Sequence, residues 1–423
     1  MIKAILIGAG QRGMEVYAAY ALKHPHRFRI VAVAEPDAER RAAMAQRHGI
    51  PADRCFAEWR PLLALGKIAD CALVCTQDRH HVEPAEAALQ LGYHVLCEKP
   101  MNPDAGQCIR LAEAAQASGK TLTICHVLRY SPFFTKLKAV LDEGRIGEIV
   151  SVQHIECVGY WHQAHSFVRG NWRNSQLSSP MILQKSCHDM DILYWLLGKR
   201  CRSVSSYGSL MHFRPENAPE GSTDRCYDGC PHTKTCPYFC GKIYEDDEEW
   251  YSDTIRKVVA LESTPEAVAE ALRTGPYGRC VYHCDNDVVD HQVVNLLFEG
   301  GATVSFTMCA FTYEGSRVMN IMGTRGQILA DMEKNKITVL DFRTGNREEI
   351  TIKTTIGGHS GSDDALMDGF LRTVESDGAF QLTSAEDSLE SHLMALAAEE
   401  SRLTGKTVDL REFRERMTPC CGN

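Results

Sequence analysis

Residues 2–24 read "IKAILIGAGQRGMEVYAAYALKH", and the order of residue types there decides the fold of the first third of the chain. A short apolar, β-rich run leads into Gly8-Ala9-Gly10-Gln11-Arg12-Gly13, and a helical pattern follows. This is G-x-G-x-x-G in its required context, strand before and helix after. Gly8 permits the tight turn, Gly10 lets a pyrophosphate approach the main chain, and Gly13 lets helix and sheet pack closely. With Gln11 and Arg12 they form the expected anion site, where helix N–H groups face the phosphates. The next strand, "FRIVAVAEP", ends in Glu35, about 20 residues beyond the glycines, where a carboxylate accepts hydrogen bonds from a ribose diol. A 2′-phosphate would meet Glu35 at close range, while Arg40 and Arg41 lie downstream, so NAD is expected rather than NADP.

The alternation continues outward. "RRAAMAQRHG", "HVEPAEAALQLG" and "DAGQCIRLAEAAQASG" read as helices, and "ADCALVCT", "YHVLCEKP" and "TLTICHVLRY" as strands. Strict succession of this kind implies a parallel, doubly wound α/β sheet, whose ligands sit beyond the carboxyl ends of the strands. Those ends are polar: Thr76 to His81, then Glu98-Lys99-Pro100, then Arg129 to Pro132.

A length of 423 residues suits two domains with an insertion. The expected division is 1–127 and 128–423, with a Cys-rich insertion at about 213–289. Hydrophobic residues at 44% and charged residues at 24% are those of an ordinary globular chain. A net charge of −9 argues against a nucleic-acid partner, which needs a basic face. No apolar run approaches the roughly 20 residues needed to span a bilayer, and the N-terminus enters a strand without a signal region. A cytoplasmic location is therefore expected, and in a reducing compartment most of the 18 scattered cysteines are buried thiols.

The glycine turn, T-x-x-x-x-H (Thr76 to His81), E-K-P (Glu98 to Pro100) and R-x-x-P (Arg129 to Pro132), in that order, resemble the Gfo/Idh/MocA family of glucose–fructose oxidoreductase and inositol dehydrogenase. "CHDMDILYWLLG" resembles that family's second-domain histidine motif. The resemblance implies a Rossmann domain followed by an α/β domain with a large open, mostly antiparallel sheet, the nicotinamide lying between them. It implies that Thr76, Gln77 and His81 line the cofactor, Gln77 standing where the family usually has proline. Glu98 and Lys99 match the pair beside the nicotinamide, and Arg129 is grouped with them. A lysine beside a positively charged ring and a sugar face is suited to exchange a proton with a substrate hydroxyl. The bland alternative is a surface lysine paired with Glu98.

After residue 148 the pattern changes to long β-rich runs joined by tight turns, which are antiparallel where they neighbour. Gly300-Gly301 marks the clearest hairpin. "DDALMDGFLRTVES" and "SAEDSLESHLMALAAEESRLTG" carry helical periodicity. The stretch 181–198, "MILQKSCHDMDILYWLLG", reads as an apolar strand end, a crowd of titratable groups, then an apolar helix. By resemblance His188 meets the reacting alcohol. Four residues before it, where the family has aspartate, stands Gln184, followed by Lys185, so an amide orients the imidazole without supplying charge. Asp189 or Asp191 favours the positive helix end, and His188 capping or packing under the helix is the structural alternative.

Upstream, Trp161, His165, Arg169, Trp172 and Arg173 gather indole faces and forked donors suited to a pyranose ring; with Gln184 and Asp191 they make the candidate substrate face. A loop merely anchored by two tryptophans is the alternative. Cys226, Cys230, Cys236 and Cys240 lie in a loop-like stretch lacking a core pattern. Their closeness suggests structural zinc, with Cys280, His283 or Cys284 as replacement ligands, although three residues separate each pair where two are usual. Free thiols or a disulfide are the alternatives. The acidic tract "EDDEEW" (245–250) reads as a solvated face.

The expected activity is NAD-dependent hydride transfer from a sugar, polyol or glycoside hydroxyl, with Lys99, His188 and Lys185 as catalytic residues. The alternative is glycoside cleavage by transient oxidation and elimination with NAD retained. By resemblance the large sheet pairs in a homodimer or homotetramer.

Overall fold

The computed structural model describes residues 1–246, 252–353 and 361–418. The tract 245–250 falls mostly outside the described residues. The first sheet has six strands: β1 (Ile2–Ile7), β2 (Phe28–Ala34), β3 (Cys55–Phe56), β4 (Cys71–Val74), β5 (His94–Cys97) and β6 (Leu122–Ile124). Their order is β3-β2-β1-β4-β5-β6 and every pairing is parallel. β4 and β5 are buried at every position, as strands covered by helices on both faces must be. The intervening helix Ala38–His48 starts where Asp37 accepts the Arg40 N–H and stops at Gly49, φ 60°. Ala105–Ser118 starts on Asp104 and stops at Gly119, φ 64°. A short polar side chain at the N-cap and a left-handed glycine after the last turn satisfy end groups the helix leaves unpaired.

The second sheet has nine strands. They are β7 (Ile149–Cys157), β8 (Cys201–Ser209), β9 (His291–Phe298), β10 (Thr303–Cys309), β11 (Ser316–Gly323), β12 (Gly326–Asp331), β13 (Lys336–Asp341), β14 (Arg347–Thr351) and β15 (Val408–Asp409). The order is β14-β13-β12-β11-β7-β10-β9-β8-β15. β10 runs parallel to β7 and the other pairings are antiparallel, so the sheet is mixed. The β9–β10 hairpin turns on Gly300 and Gly301, with φ +82° and +93°, conformations glycine adopts without steric cost. One face of this sheet packs on the helices Cys187–Leu197 and Ala385–Thr404 in a core continuous with the first domain.

Two segments fold differently from their sequence reading. Met181–Gln184 is a helical turn rather than a strand end, since an apolar run of this length carries no period to separate the two. The cysteine stretch 226–239 is turns without helix or strand, as its sequence reads, but the insertion does have a core: Phe213, Tyr238, Ile243, Tyr244, Leu272 and Tyr277 build a second hydrophobic cluster of their own. Ala164 and Val168 join it from the segment Tyr160–Arg169, which is helical and widens into a π-type turn over Gln163–Arg169.

Candidate active site

The glycine turn has the shape its spacing predicts. Gly8 sits at φ +93°, and a Cβ there would lie 2.5 Å from the Cys75 carbonyl oxygen; one on Gly13 would lie 2.2 Å from that of Gly8. A Cβ on Gly10 would meet nothing within 4 Å. Two glycines are thus required by packing and the third leaves the main chain open to a ligand, so the turn fits a dinucleotide pyrophosphate. Glu35, at the end of β2, is buried and accepts the Ala9 N–H at 2.6 Å and the Asp37 N–H at 3.0 Å. Arg12 turns its guanidinium inward instead of along the anion site: it donates to Glu98 and to Asp363 at 2.8 Å each, and to the Tyr17 hydroxyl at 2.7 Å.

Beyond β4, the Thr76 hydroxyl donates to the His80 carbonyl at 2.9 Å, while Gln77 is exposed. His81 lies between the carbonyls of Pro100 (2.7 Å) and Thr76 (3.0 Å) and ties this loop to the E-K-P turn. Asp78, not singled out by the sequence, is buried and accepts the hydroxyls of Ser178 and Ser179 at 2.9 and 2.7 Å. That latch joins the cofactor-side loop to the second domain.

Glu98 accepts Arg12 and the Tyr17 hydroxyl on one oxygen and the Lys99 N–H, at 3.0 Å, on the other. Burial opposes its charge, but Arg12 and Lys99 outweigh it and hold the carboxyl below its ordinary range. Lys99 therefore does not form the surface pair considered above. Its ammonium crosses to the second domain, donating to the Gln184 carbonyl at 2.7 Å, and lies 5.8 Å from the centre of the Trp172 ring.

Gln184 is four residues before His188, which occupies the first turn of the helix Cys187–Leu197 and is nearly buried. Two histidines the sequence did not single out continue from it in a row. The His126 ring is 5.8 Å from that of His188, edge to face, and His392 is 5.5 Å from His126. His126 and His392 are buried, and that burial drives both toward the neutral form, His392 to about 3.

Lys185 points to β7 and meets Glu156 at 3.1 Å. Arg317 bridges Glu156 (2.8 Å) and Asp189 (2.8 Å), and His154 completes the network at 2.7 Å from Asp189. Burial lowers the Lys185 pKa and raises that of Glu156, so the pair is less firmly charged than a surface one. For Asp189 burial is outweighed by Arg317 and His154, which hold it at about 2.

Several expected ligand contacts are internal contacts instead. Arg129 and Asp191, expected at cofactor and substrate, hold each other in a two-pronged pair at 2.8 and 2.7 Å, both buried. Arg169, expected on the substrate face, has no exposed surface and donates to the carbonyls of Arg279 and Tyr238 at 2.7 Å each. Arg173 pairs with Asp285 at 2.6 Å, and His165 stacks on Tyr277 at 4.8 Å, both fastening the insertion. Trp161 and Trp172 keep part of their rings accessible.

The zinc expectation is not supported. Among the described residues no group of three or more His, Cys, Asp or Glu side chains is arranged to hold a metal ion. Cys226, Cys230, Cys236 and Cys240 are free thiols, as are Cys280 and Cys284. Arg169 Nη2 lies 3.6 Å from Cys226 Sγ. His283, the remaining replacement ligand, meets the Ser222 hydroxyl at 3.2 Å.

A glycine turn open at Gly10, and a Lys99 side chain that reaches the Gln184 carbonyl four residues before His188, fit an NAD-binding oxidoreductase. Residues 2–126 match the oxidoreductase family model for the NAD-binding Rossmann fold, and residues 138–410 match its C-terminal alpha/beta domain. The chain belongs to the Gfo/Idh/MocA family. It is 27% identical to the putative oxidoreductase YteT of Bacillus subtilis over 315 residues, 71% of each chain. It is 31% identical to inositol 2-dehydrogenase 4 of Saccharopolyspora erythraea over 227 residues, 52% of this chain and 60% of that one. A levoglucosan dehydrogenase solved with NADH and levoglucosan shares the fold, with a TM-score of 0.70 at 18% identity over 97% of this chain and 99% of that one.

Proposed function

We propose that the chain is an NAD-dependent dehydrogenase acting on a secondary hydroxyl of a cyclic polyol or pyranose sugar. The observation that carries this reading is the Lys99 ammonium, which leaves the nucleotide domain and ends 2.7 Å from the carbonyl four residues before His188. Relatives named for inositol and a neighbour bound to levoglucosan support the substrate class. A bound NAD supplies the hydride acceptor. Lys99 exchanges the Gln184 carbonyl for the substrate hydroxyl and, as the neutral amine once its own proton has passed to solvent, takes the hydroxyl proton, while His188 orients the same hydroxyl. Trp172 and Trp161 offer ring faces to the apolar side of the sugar. Lys185, whose charge is disfavoured by burial and offset by Glu156, stands in the sequence between Gln184 and His188 as a neighbouring proton site. NADH formation at 340 nm with a panel of inositols and monosaccharides tests the reading.

Glycoside cleavage with retained NAD is the second reading, favoured by the contacts that lock the cofactor lobe to the second domain. These are Asp78 with Ser178 and Ser179, and Arg12 with Asp363. Release of aglycone at catalytic NAD without net NADH would select it. For cofactor choice, Glu35→Ser is expected to raise the KM for NAD about tenfold, the loss of about 1.4 kcal/mol of ribose recognition. The NAD-to-NADP ratio of kcat/KM should fall with it.

The uncovered face of the large sheet supports self-association. In register across five strands lie Val318, Ile155, Thr307, Val293 and Tyr207, with Ile155 41% and Tyr207 68% exposed. An apolar row on a wide sheet is suited to a second copy of the same surface. Ile155→Asp with Val318→Asp is expected to convert the oligomer to monomer in sedimentation velocity without loss of helical signal.

A further inference from the structure

His188, His126 and His392 form an interior row of which the chemistry above uses only the first. His392 has both ring nitrogens engaged: Nε2 accepts the main-chain N–H of Met101 at 2.8 Å, and Nδ1 donates to the Ser388 carbonyl at 2.6 Å. A nitrogen that accepts an N–H carries no proton, so His392 is neutral and held in one tautomer. Met101 lies two residues beyond Lys99, while Ser388 and His392 stand one turn apart on the helix Ala385–Thr404. His392 therefore pins the turn that carries Lys99 to that helix.

His126 lies two residues beyond the end of β6 and is fully buried. Its Nε2 has two acceptors beside it, the Ser391 hydroxyl oxygen at 3.5 Å and Asp191 Oδ1 at 4.0 Å. The Ser391 proton is already given to the Ser388 carbonyl at 2.8 Å. The His126 proton thus belongs on Nε2, and the bare nitrogen is Nδ1, which has no hydrogen-bond partner among the described residues. A phenyl ring would fill the same space without burying an unpaired acceptor, so packing alone does not account for a histidine here. The charged and titratable groups around His126 are Arg129, Lys99, Glu98, Asp191, His188 and His392. Burial, then the charges of Arg129 and Lys99, hold it neutral. Around His392 they are His126, Asp191 and Lys99, and burial again dominates.

Asp191 stands three residues after His188 on the same helix, its carboxylate fixed by Arg129. The His126 ring is thereby held where the end of β6, the helix of His188 and the helix of His392 meet. It packs edge to face on both other imidazoles, with centres 5.8 Å from His188 and 5.5 Å from His392 and inclinations of 78° and 65°, an arrangement aromatic rings favour.

We propose that His126 and His392 are positioning residues: two neutral rings carry the placement of the Lys99 turn across to His188 and so set its imidazole against the hydroxyl on which Lys99 acts. The inference rests on the reading of His188 as a group that meets the substrate. Neither ring touches the sugar or NAD, and both act through His188.

The test uses the full-length enzyme with NAD. His126→Leu and His392→Leu are each expected to lower kcat about 10–100-fold, the effect of a small misplacement of a catalytic group, while the KM for the sugar and the Kd for NAD move less than about twofold. His392→Gln, whose amide can accept from Met101 and donate to Ser388, should recover kcat to within about threefold. In a His188→Ala background His126→Leu should cost less than about twofold, because no imidazole is left to place. An equal loss with and without His188, or no loss in either leucine variant, would overturn the proposal. Nitrogen NMR of the histidine rings in the unmodified enzyme decides even if a substitution prevents folding. His392 protonated at Nδ1 alone and His126 at Nε2 alone, both unchanged from about pH 5.5 to 8.5, is expected; titration in that range or the opposite tautomer overturns it. An unmodified enzyme that oxidises no sugar would sink the dehydrogenase reading, whereas an active enzyme matched by its leucine variants would sink this inference alone.

Discussion

Lys99→Met is expected to lower kcat/KM for the sugar by about 10²–10⁴, the usual contribution of a positioned general base, while the Kd for NAD changes less than about twofold. Methionine keeps the length and apolar stem of lysine, so the interdomain packing survives, but it cannot take a proton. The Gln184 carbonyl loses its donor at the same time. That bond is only part-buried and Lys99 is partly exposed, so water can replace it and thermal stability should move little. Isothermal titration with NAD, beside initial rates, separates loss of chemistry from loss of cofactor.

The second large effect is on stability. Arg129→Met is expected to destabilise the fold by about 3–5 kcal/mol, the range for breaking a buried ion pair by removing one partner. It leaves Asp191, 1% exposed, without its two-pronged counter-ion. Burial already raises the Asp191 pKa with Arg129 in place, and removing Arg129 raises it further. A carboxyl whose folded pKa lies above its unfolded value favours the folded state when protonated and loses that advantage as pH rises through the unfolded and then the folded pKa. The variant is therefore expected to be less destabilised, relative to the unmodified protein, at pH 5 than at pH 8. Arg129→Met with Asp191→Leu should recover much of the loss, since replacing both charges removes the uncompensated one. Urea unfolding at the two pH values measures all three. Equal loss at both, with no recovery in the double variant, would show the pair contributes little.

The first domain was legible because its signals are local. Gly8, Gly10 and Gly13 fix a turn within six residues, and each strand end carries its own polar cluster. The hairpin at Gly300-Gly301 and the helix opening at Cys187 were legible for the same reason. Partnerships across the chain were not. Arg129 and Asp191 each look like a ligand contact when read alone, and nothing in either segment says that 62 residues of separation close into one ion pair. The Lys185, Glu156, Arg317, Asp189 and His154 network likewise draws on the helical segment, β7 and β11. His126 and His392 stand in apolar runs where a histidine carries no periodic signal. The cysteine cluster suggested a metal because four thiols lie close in sequence, whereas a neighbour of Cys226 in the fold, Arg169, comes from 57 residues before it.

The central claim is that Lys99 and His188, contributed by separate domains, act together on one hydroxyl beside bound NAD. The most direct measurement is NADH formation by the unmodified enzyme, Lys99→Met and His188→Ala on the best substrate of an inositol and monosaccharide panel at saturating NAD. Both variants are expected to lose at least about 10²-fold in kcat, and the double variant to lose little beyond the worse single one, as groups acting as a unit do. A Lys99→Met enzyme that turns over sugar at the unmodified rate would contradict the account.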